Sequence, residues 1–292
     1  MTLRLNPAWR GRAGRGYNRG MGWWSKRIAA GVMGLALAAA FSCCGAAADD
    51  LYRARTVVTG QGEANRVIGF AACLEDVLIE VSGALKLAGD PRLEPYKARA
   101  RDYVKAYDYH DQMSGKPKRD EQGTRDRPYD LIVDFEEKMI DGALAELGLK
   151  PWPLPRPSLG VLVEMEQGAR LYIVSSDARQ SDLQRDSLLA AALKRGMAVA
   201  LPGSAALEKA NVTPAALMTA TPSTLTAAVA GDVLLRGHLT WSDDDLGWIT
   251  EWQMDFRGAP HRWQFRGVTF DEAFRRGLGG AAQILSGNGE PG

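Results

Sequence analysis

Cysteine and histidine are both scarce in this chain, with three of each among 292 residues. Cys43 and Cys44 lie in the amino-terminal segment, so Cys73 is the one thiol of the remaining chain. A single thiol forms no intramolecular disulfide, which excludes a disulfide scaffold. Cys73 falls on the apolar side of a helical pattern and is interpreted as a small packing residue. The histidines show none of the spacings typical of metal ligands: His110, His238 and His261.

Motifs that carry chemistry are absent as well. Neither Gly-x-Ser-x-Gly nor Ser-x-x-Lys occurs after residue 48. The glycines at 60 and 62 do not match a phosphate-binding loop, and the acidic run 243–245 lacks the twelve-residue calcium pattern. His110 has Asp108 and Asp111 as neighbours, yet it reads as an exposed strand end. We therefore expect no catalytic residue, no metal and no cofactor, and a chain that is not an enzyme; a hydrolase whose site geometry leaves no motif stays an alternative.

The apolar run at residues 28–41 is too short to span a membrane, for which about 20 residues are needed. Seven basic and no acidic residues precede this run, and Ala46 and Ala48 follow it. This order is typical of a secretory signal. It predicts a signal peptide over 1–48, cleavage near Ala48 and Asp49, and a periplasmic protein without a transmembrane helix. A lipoprotein anchored at Cys43 or Cys44 is a weaker alternative, because Ala40 and Phe41 stand where such signals usually carry Leu.

The charge balance changes once the predicted signal is removed. The 36 basic residues lose seven, which leaves 29 against 35 acidic residues and a formal net charge of −6. No basic tract remains to attract phosphates. This composition excludes nucleic acid as the expected partner.

Four prolines within residues 151–157 divide the rest of the chain. Proline disrupts helices and sheet ladders and favours a stiff, extended connector. We predict an amino-terminal α+β domain over 49–150, a proline-rich linker over 151–157 and a carboxyl-terminal α/β domain over 158–287. A proline-rich ligand for a partner domain is the alternative interpretation of the linker.

Hydrophobic periodicity predicts three strands and three helices in the first domain. The strands are expected at 51–58, 104–110 and 129–135, and the helices at about 67–81, from 90 to 103 and at 136–147. The first helix carries one apolar stripe and ends at Gly83: Val67, Phe70, Leu74, Val77, Leu78 and Val81. Residues 114–127 are almost free of apolar side chains and predict a solvated loop. This domain is expected to be a small α+β unit.

The second domain is predicted to be a mixed sheet covered by helices. Its strands are expected at 159–165, 171–174, 197–201, 232–241, 247–256 and 261–268, the last three as a meander. Helices are expected at 178–194 and 271–285, and residues 204–230 look helical but broken at Pro214 and Pro222. The overall fold class is therefore α+β, with two small sheet-and-helix domains.

Tryptophans are concentrated in the last hairpins, where they alternate with arginines: Trp241, Trp248, Trp252, Trp263, Arg257, Arg262 and Arg266. Aromatic pairs of this kind commonly stabilise a meander from within. The same pattern also suits stacking of a small ligand or a glycan on an open surface, with Trp248, Trp252 and Trp263 as the binding residues. Burial of the three rings would favour packing, and exposure would favour ligand binding.

Several short strings, taken in order, resemble the bacterial envelope family named domain of unknown function 2066. They are EVSG at 80–83, YVKAYDYHD at 103–111, LPRP at 154–157, AGDVLLRGHL at 230–239, GWITEW at 247–252 and FDEAFRRGL at 270–278. The resemblance implies a signal-bearing periplasmic protein without an established activity, and it supplies no site residues.

These observations together predict an exported, non-enzymatic protein that acts through contacts with other proteins of the cell envelope. The alternatives are a glycan-binding or small-ligand module built on the tryptophan hairpins, and the undetected hydrolase.

Overall fold

A computed structural model describes residues 51–115 and 127–291, which belong to one compact unit. Seven α-helices and two β-sheets lie within these residues, so the predicted α+β class is confirmed. The predicted signal peptide, with Cys43 and Cys44, lies outside the described residues, as does most of the predicted 114–127 loop. No helix of residues 51–115 and 127–291 combines the length and the apolar character needed to cross a bilayer.

The amino-terminal region, residues 51–149, contains an antiparallel three-stranded sheet with strand order β1-β3-β2. Its strands are β1 (Arg53–Thr59), β2 (Val104–Asp111) and β3 (Pro128–Phe135). The helices are α1 (Glu63–Ser82), α2 (Glu94–Lys97) and α3 (Glu137–Glu146). α1 packs its buried stripe on the sheet and ends at Gly83, whose φ of 68° suits a left-handed cap.

Two details of this region differ from the prediction. Val67, which was predicted to lie on the apolar stripe, is 48% exposed. Gly69 makes the close approach to the sheet, and Val67, two residues earlier, points about 200° away from it around the helix. The predicted helix from 90 to 103 is broken into α2 and 3₁₀ turns at Pro91–Leu93 and Ala100–Tyr103. Pro95 has no amide hydrogen to donate to the Pro91 carbonyl, which disfavours a continuous α-helix over residues 91–95.

The carboxyl-terminal region, residues 158–291, contains a mixed six-stranded sheet with strand order β5-β4-β7-β8-β9, and β6 pairs with β4. The strands are β4 (Leu159–Gln167), β5 (Arg170–Ile173), β6 (Val199–Ala200), β7 (Val233–Ser242), β8 (Gly247–Phe256) and β9 (Ala259–Val268). β4 runs parallel to β6 and β7, and the other pairs are antiparallel. β6 is shorter than predicted, because the Met197 amide donates to the Ala192 carbonyl and Pro202 has no amide hydrogen.

Helices cover both faces of this sheet to different extents. The main core lies between the sheet and the helices α4 (Asp182–Leu193) and α7 (Phe270–Ser286). A smaller core on the opposite face involves the broken helical stretch with α5 (Ser204–Lys209) and α6 (Pro222–Ala228), which packs over Leu162 and Ile173. This second cover packs at the β5, β4 and β7 side of the sheet, where the candidate site is found.

Arg156, within the proline-rich stretch, bonds to both regions. Its guanidinium donates to the carbonyls of Trp152 at 2.8 Å, of Glu80 at 2.8 Å and of Arg195 at 2.7 Å, and it stacks on the Trp152 ring at 4.2 Å. Burial lowers the pKa of Arg156 to about 10. A second link is Asn288, whose side-chain amide donates to the carbonyls of Ser82 and Lys150. The proline-rich stretch is therefore bonded on both sides.

Candidate functional site

The tryptophans proposed as ligand-binding residues lie in the core. Trp248, Trp252 and Trp263 are 6%, 1% and 5% exposed. Trp252 and Trp263 are register partners on β8 and β9, and their rings lie against Gly277 and Gly280 of α7. Trp248 packs edge-on against Trp241, with ring centroids 5.7 Å apart. This burial favours the packing interpretation.

The same three residues do not share one cleft. Trp248 borders a pocket beside β5, whereas Trp252 and Trp263 border a separate cavity of about 490 Å³ with Met218 and Arg262. A glycan-binding role for them stays a prediction, and it gains no support from these positions.

The other residues singled out in the sequence are also dispersed. The His110 Nδ1 lies 3.6 Å from the Asp130 carboxylate on an exposed strand, while Asp111 pairs with Arg127. Cys73 is fully buried, and desolvation raises the pKa of its thiol to about 12. Within the described ranges, no group of three or more potential ligands is arranged to hold a metal ion. These positions therefore do not form a common site.

β5 is an edge strand of the carboxyl-terminal sheet. β4 and β5 form a hairpin around Gly168, whose φ is 58°, and Gln167 pairs with Arg170. The Val174 amide donates to the Val163 carbonyl at 2.8 Å, which identifies that pair as hydrogen-bonded. Since such pairs alternate in antiparallel sheets, residues 170 and 172 also bond to β4, and the backbone groups of Leu171 and Ile173 point away from it.

We name the outward-pointing backbone groups of Leu171 and Ile173 the β5 edge. Among the described residues, no backbone or side-chain partner bonds to the amide or carbonyl groups of Leu171 and Ile173. Beyond Ile173 the edge is closed, because the Ser176 amide donates to the Pro202 carbonyl at 2.9 Å. Leu171 is 43% exposed, whereas Ile173 is 6% exposed and packs in the smaller core, so the opening in the β5 edge lies at Leu171.

A pocket adjoins the β5 edge on the Tyr172 face of the sheet. It has a volume of about 690 Å³ and is bordered by the hairpin, the start of α4 and Trp248. Two exposed arginines, Arg170 and Arg179, line it and form no ion pair within the described part of the chain. The one carboxylate that borders the pocket, that of Asp182, is paired with Arg185 at 2.6 Å. We name this cavity the arginine pocket.

A second pocket adjoins the β5 edge on the opposite face. It has a volume of about 230 Å³, and its lining is mainly aliphatic: Leu171, Ile173, Leu207, Val212 and Pro214. Leu171 is 43% exposed there. We name it the apolar pocket. The two pockets lie on opposite faces of one free strand edge, which is the arrangement that receives alternate side chains of an added strand.

A polar row on β4 and β7 adjoins the face of the apolar pocket. Glu164 and Glu166 alternate on β4, and His238 and Thr240 stand beside them on β7. The His238 Nε2 lies 3.3 Å from the Glu166 Oε2 and 2.9 Å from the Thr240 Oγ1. Burial raises the pKa of Glu164, His238 opposes this shift, and Glu166 adds to it.

Sequence reasoning identified neither the β5 edge nor this row. The alternating glutamates at 164 and 166 were the available signal for the row. Nothing in the composition of Arg170–Ile173 marks it as a free edge, because that property depends on which strands pair.

Comparison with known proteins yields one similarity. Residues 46–153 match a family model described as Domain of unknown function (DUF8605). The expected resemblance to domain of unknown function 2066 was wrong, since the matching model is a different one. The strings behind that resemblance include helix ends such as 80–83, which capping and packing impose on many unrelated proteins. No curated protein and no solved structure matches the chain. The match covers the amino-terminal region and the start of the proline-rich stretch, and it leaves the β5 edge outside.

Proposed function

We propose that this chain is an exported, non-enzymatic protein of the bacterial cell envelope that binds partner proteins by accepting one of their extended segments at the β5 edge. The observation that carries the proposal is the exposed outward backbone of Leu171, with a pocket on each face of β5. In strand addition, main-chain hydrogen bonds supply affinity and the pockets for alternate side chains supply specificity.

The size of the edge sets the expected strength of binding. Leu171 offers one amide and one carbonyl, each hydrogen bond contributing a net of about 0.5–1.5 kcal/mol. With two side chains seated in pockets and the entropy cost of association subtracted, we expect weak binding, with a Kd on the order of millimolar. Such a short edge also limits uncontrolled pairing between copies.

The periplasmic location rests on the amino-terminal charge and hydropathy pattern, and the mass of the mature protein tests it. We expect an amino terminus at Asp49. An acylated amino terminus at Cys43 or Cys44 would support the lipoprotein alternative, and a chain that keeps residues 1–48 in the cytoplasm would overturn export.

Site-specific photo-crosslinking in intact cells tests the binding mode. A photoreactive amino acid at position 180 borders both pockets, and one at position 246, where Leu246 is 81% exposed, serves as the control. We expect a discrete adduct from position 180 that maps by mass spectrometry to one extended segment of an identified envelope protein.

Proline at position 171 provides the decisive variant. The Leu171 amide points away from β4, so Leu171→Pro keeps the hairpin bonds while removing the outward donor. The adduct should disappear in Leu171→Pro and persist in Leu171→Val. An adduct that survives Leu171→Pro, or an absence of any adduct specific to position 180, would refute strand addition.

A further inference from the structure

The charges around the β5 edge restrict the kind of segment that fits. Arg170 stands at the start of β5, and Arg179 belongs to the 3₁₀ turn that leads into α4. Because Asp182 is already paired with Arg185, two guanidinium groups of the arginine pocket have no carboxylate to neutralise them within residues 51–115 and 127–291. A bound anionic group gains charge-assisted hydrogen bonds there.

The opposite face has different chemistry. Six of the residues that line the apolar pocket are aliphatic, and Glu208 is the one charged residue at its border; the others are Tyr172, Ser175, Gln180 and Ser204. An acidic side chain would be repelled by Glu208 and would lose hydration against Ile173 and Val212. An aliphatic side chain would instead remove apolar surface from water.

Neighbouring side chains of a strand point to opposite faces, so the two pockets would contact adjacent residues of one bound partner segment. We infer that the partner segment places an acidic side chain in the arginine pocket and, next to it in sequence, an aliphatic side chain in the apolar pocket. This inference rests on the proposed function, because it specifies the chemistry of the segment added at the β5 edge.

A second copy of this chain fits the site less well. Two β5 edges paired as antiparallel strands would carry their arginine pockets on the same face of the joined sheet, bringing four unneutralised guanidinium groups together. Charge complementarity therefore favours a foreign acidic segment over self-association.

Matched peptides test the inference on the purified chain. The probe is a fluorescent peptide of sequence Thr-Val-Glu-Val-Glu-Val-Thr, with versions that carry Gln or Lys in place of both Glu residues. Fluorescence anisotropy measures binding at low and high salt. We expect the Glu peptide to bind about tenfold more tightly than the Gln peptide at low salt, with a smaller ratio at high salt.

Three protein variants locate the effect. Arg170→Gln with Arg179→Gln should reduce the Glu-to-Gln preference to about one, through weaker binding of the Glu peptide. Arg262→Gln, at another exposed arginine, on β9, should leave the preference intact. Leu171→Pro should weaken the Glu and Gln peptides alike.

The outcomes separate the two proposals. Equal binding of the Glu and Gln peptides, both weakened by Leu171→Pro, would overturn the acidic preference and leave strand addition standing. An arginine-dependent preference that Leu171→Pro does not affect would overturn strand addition, and with it the inference as stated. Absence of binding by all three peptides, or tightest binding of the Lys peptide, would also overturn the inference. A concentration-dependent dimer that Leu171→Pro abolishes would show that a second copy occupies the edge.

Discussion

In each region a helix packs closely on a sheet at a glycine. The neighbouring side chain is a leucine in the amino-terminal region and a tryptophan in the carboxyl-terminal region. In α1, a Cβ added at Gly69 would lie 2.5 Å from the Leu131 Cδ2. In α7, a Cβ added at Gly277 would lie 2.3 Å from the ring of Trp252. Both distances are far below van der Waals contact. A leucine methyl group can move by a small rotation, whereas an indole plane held between two backbones cannot.

The difference lies in how Trp252 is enclosed. Its ring also touches the position where Gly237 of β7 would carry a Cβ, at 2.7 Å. The indole therefore fills a slot between α7 and the sheet, and neither wall tolerates a side chain. The amino-terminal region has an aliphatic contact at the equivalent place, so we expect it to repack more readily. Mutations that challenge this contrast follow, starting with the largest effect.

Gly277→Ala should produce the greatest loss of stability. Its methyl group overlaps a ring that cannot move, and overpacking of this kind costs about 3 kcal/mol or more. Chemical denaturation measures the free energy of unfolding. A loss below about 1 kcal/mol would show that the slot around Trp252 is adaptable.

Two other glycines calibrate that measurement. Gly69→Ala should cost less, about 1–2 kcal/mol, because the side chains of Leu131 and Val58 can shift. Gly142→Ala in α3 should stabilise the protein by about 0.5–1 kcal/mol, since no atom lies within 4 Å of the added methyl group and alanine favours helix. Equal effects at 69 and 277 would contradict the comparison of the two regions.

Arg156→Ala should destabilise the protein by about 2–3 kcal/mol. The change leaves the carbonyls of Trp152, Glu80 and Arg195 without this donor in a partly buried site. Native-state hydrogen exchange should show the two regions opening together in the unchanged protein and more independently in the variant. Arg156→Lys, which keeps the charge but not the forked donors, should recover only part of the loss.

Asn288→Asp should cost about 1–2 kcal/mol. Aspartate keeps the oxygen that accepts from the Lys150 amide. It lacks the side-chain N–H groups that donate to the carbonyls of Ser82 and Lys150. Thermal unfolding reports the change. Stability equal to that of the unchanged protein would mean that water replaces both bonds without penalty.

Glu164→Gln should have the smallest effect, a slight gain of stability at neutral pH. The folded state raises the pKa of Glu164 above its ordinary value of 4.5, so it holds the proton more tightly than the unfolded chain does. Stability therefore falls as the pH rises from about 4.5 through the folded pKa, and glutamine removes this part of the profile. Glu251→Gln, an exposed change on the same face, is the control. A loss of stability in Glu164→Gln at pH 7 would contradict the sign.

Sequence alone predicted much of the framework but little of the candidate site. Periodicity located the strands of the β7–β9 meander to within two residues, and Gly83 marked the end of α1, since both signals are local. The free edge of β5 depends on the pairing of β4 with β7, a non-local contact that hydropathy does not encode. Arg156 was overlooked because the surrounding prolines indicated a spacer, and the carbonyls that it binds come from distant segments.

The position of Asn288 affects the order in which the molecule is completed. Ribosomes deliver the chain from its amino terminus, so the segments that end α1 and precede the proline-rich stretch emerge long before residue 288. The carbonyls of Ser82 and Lys150 must wait for a donor that emerges 206 and 138 residues later. Closure of the earliest region is thereby tied to synthesis past residue 288, and we expect a chain that stops before residue 288 to leave these carbonyls without this donor.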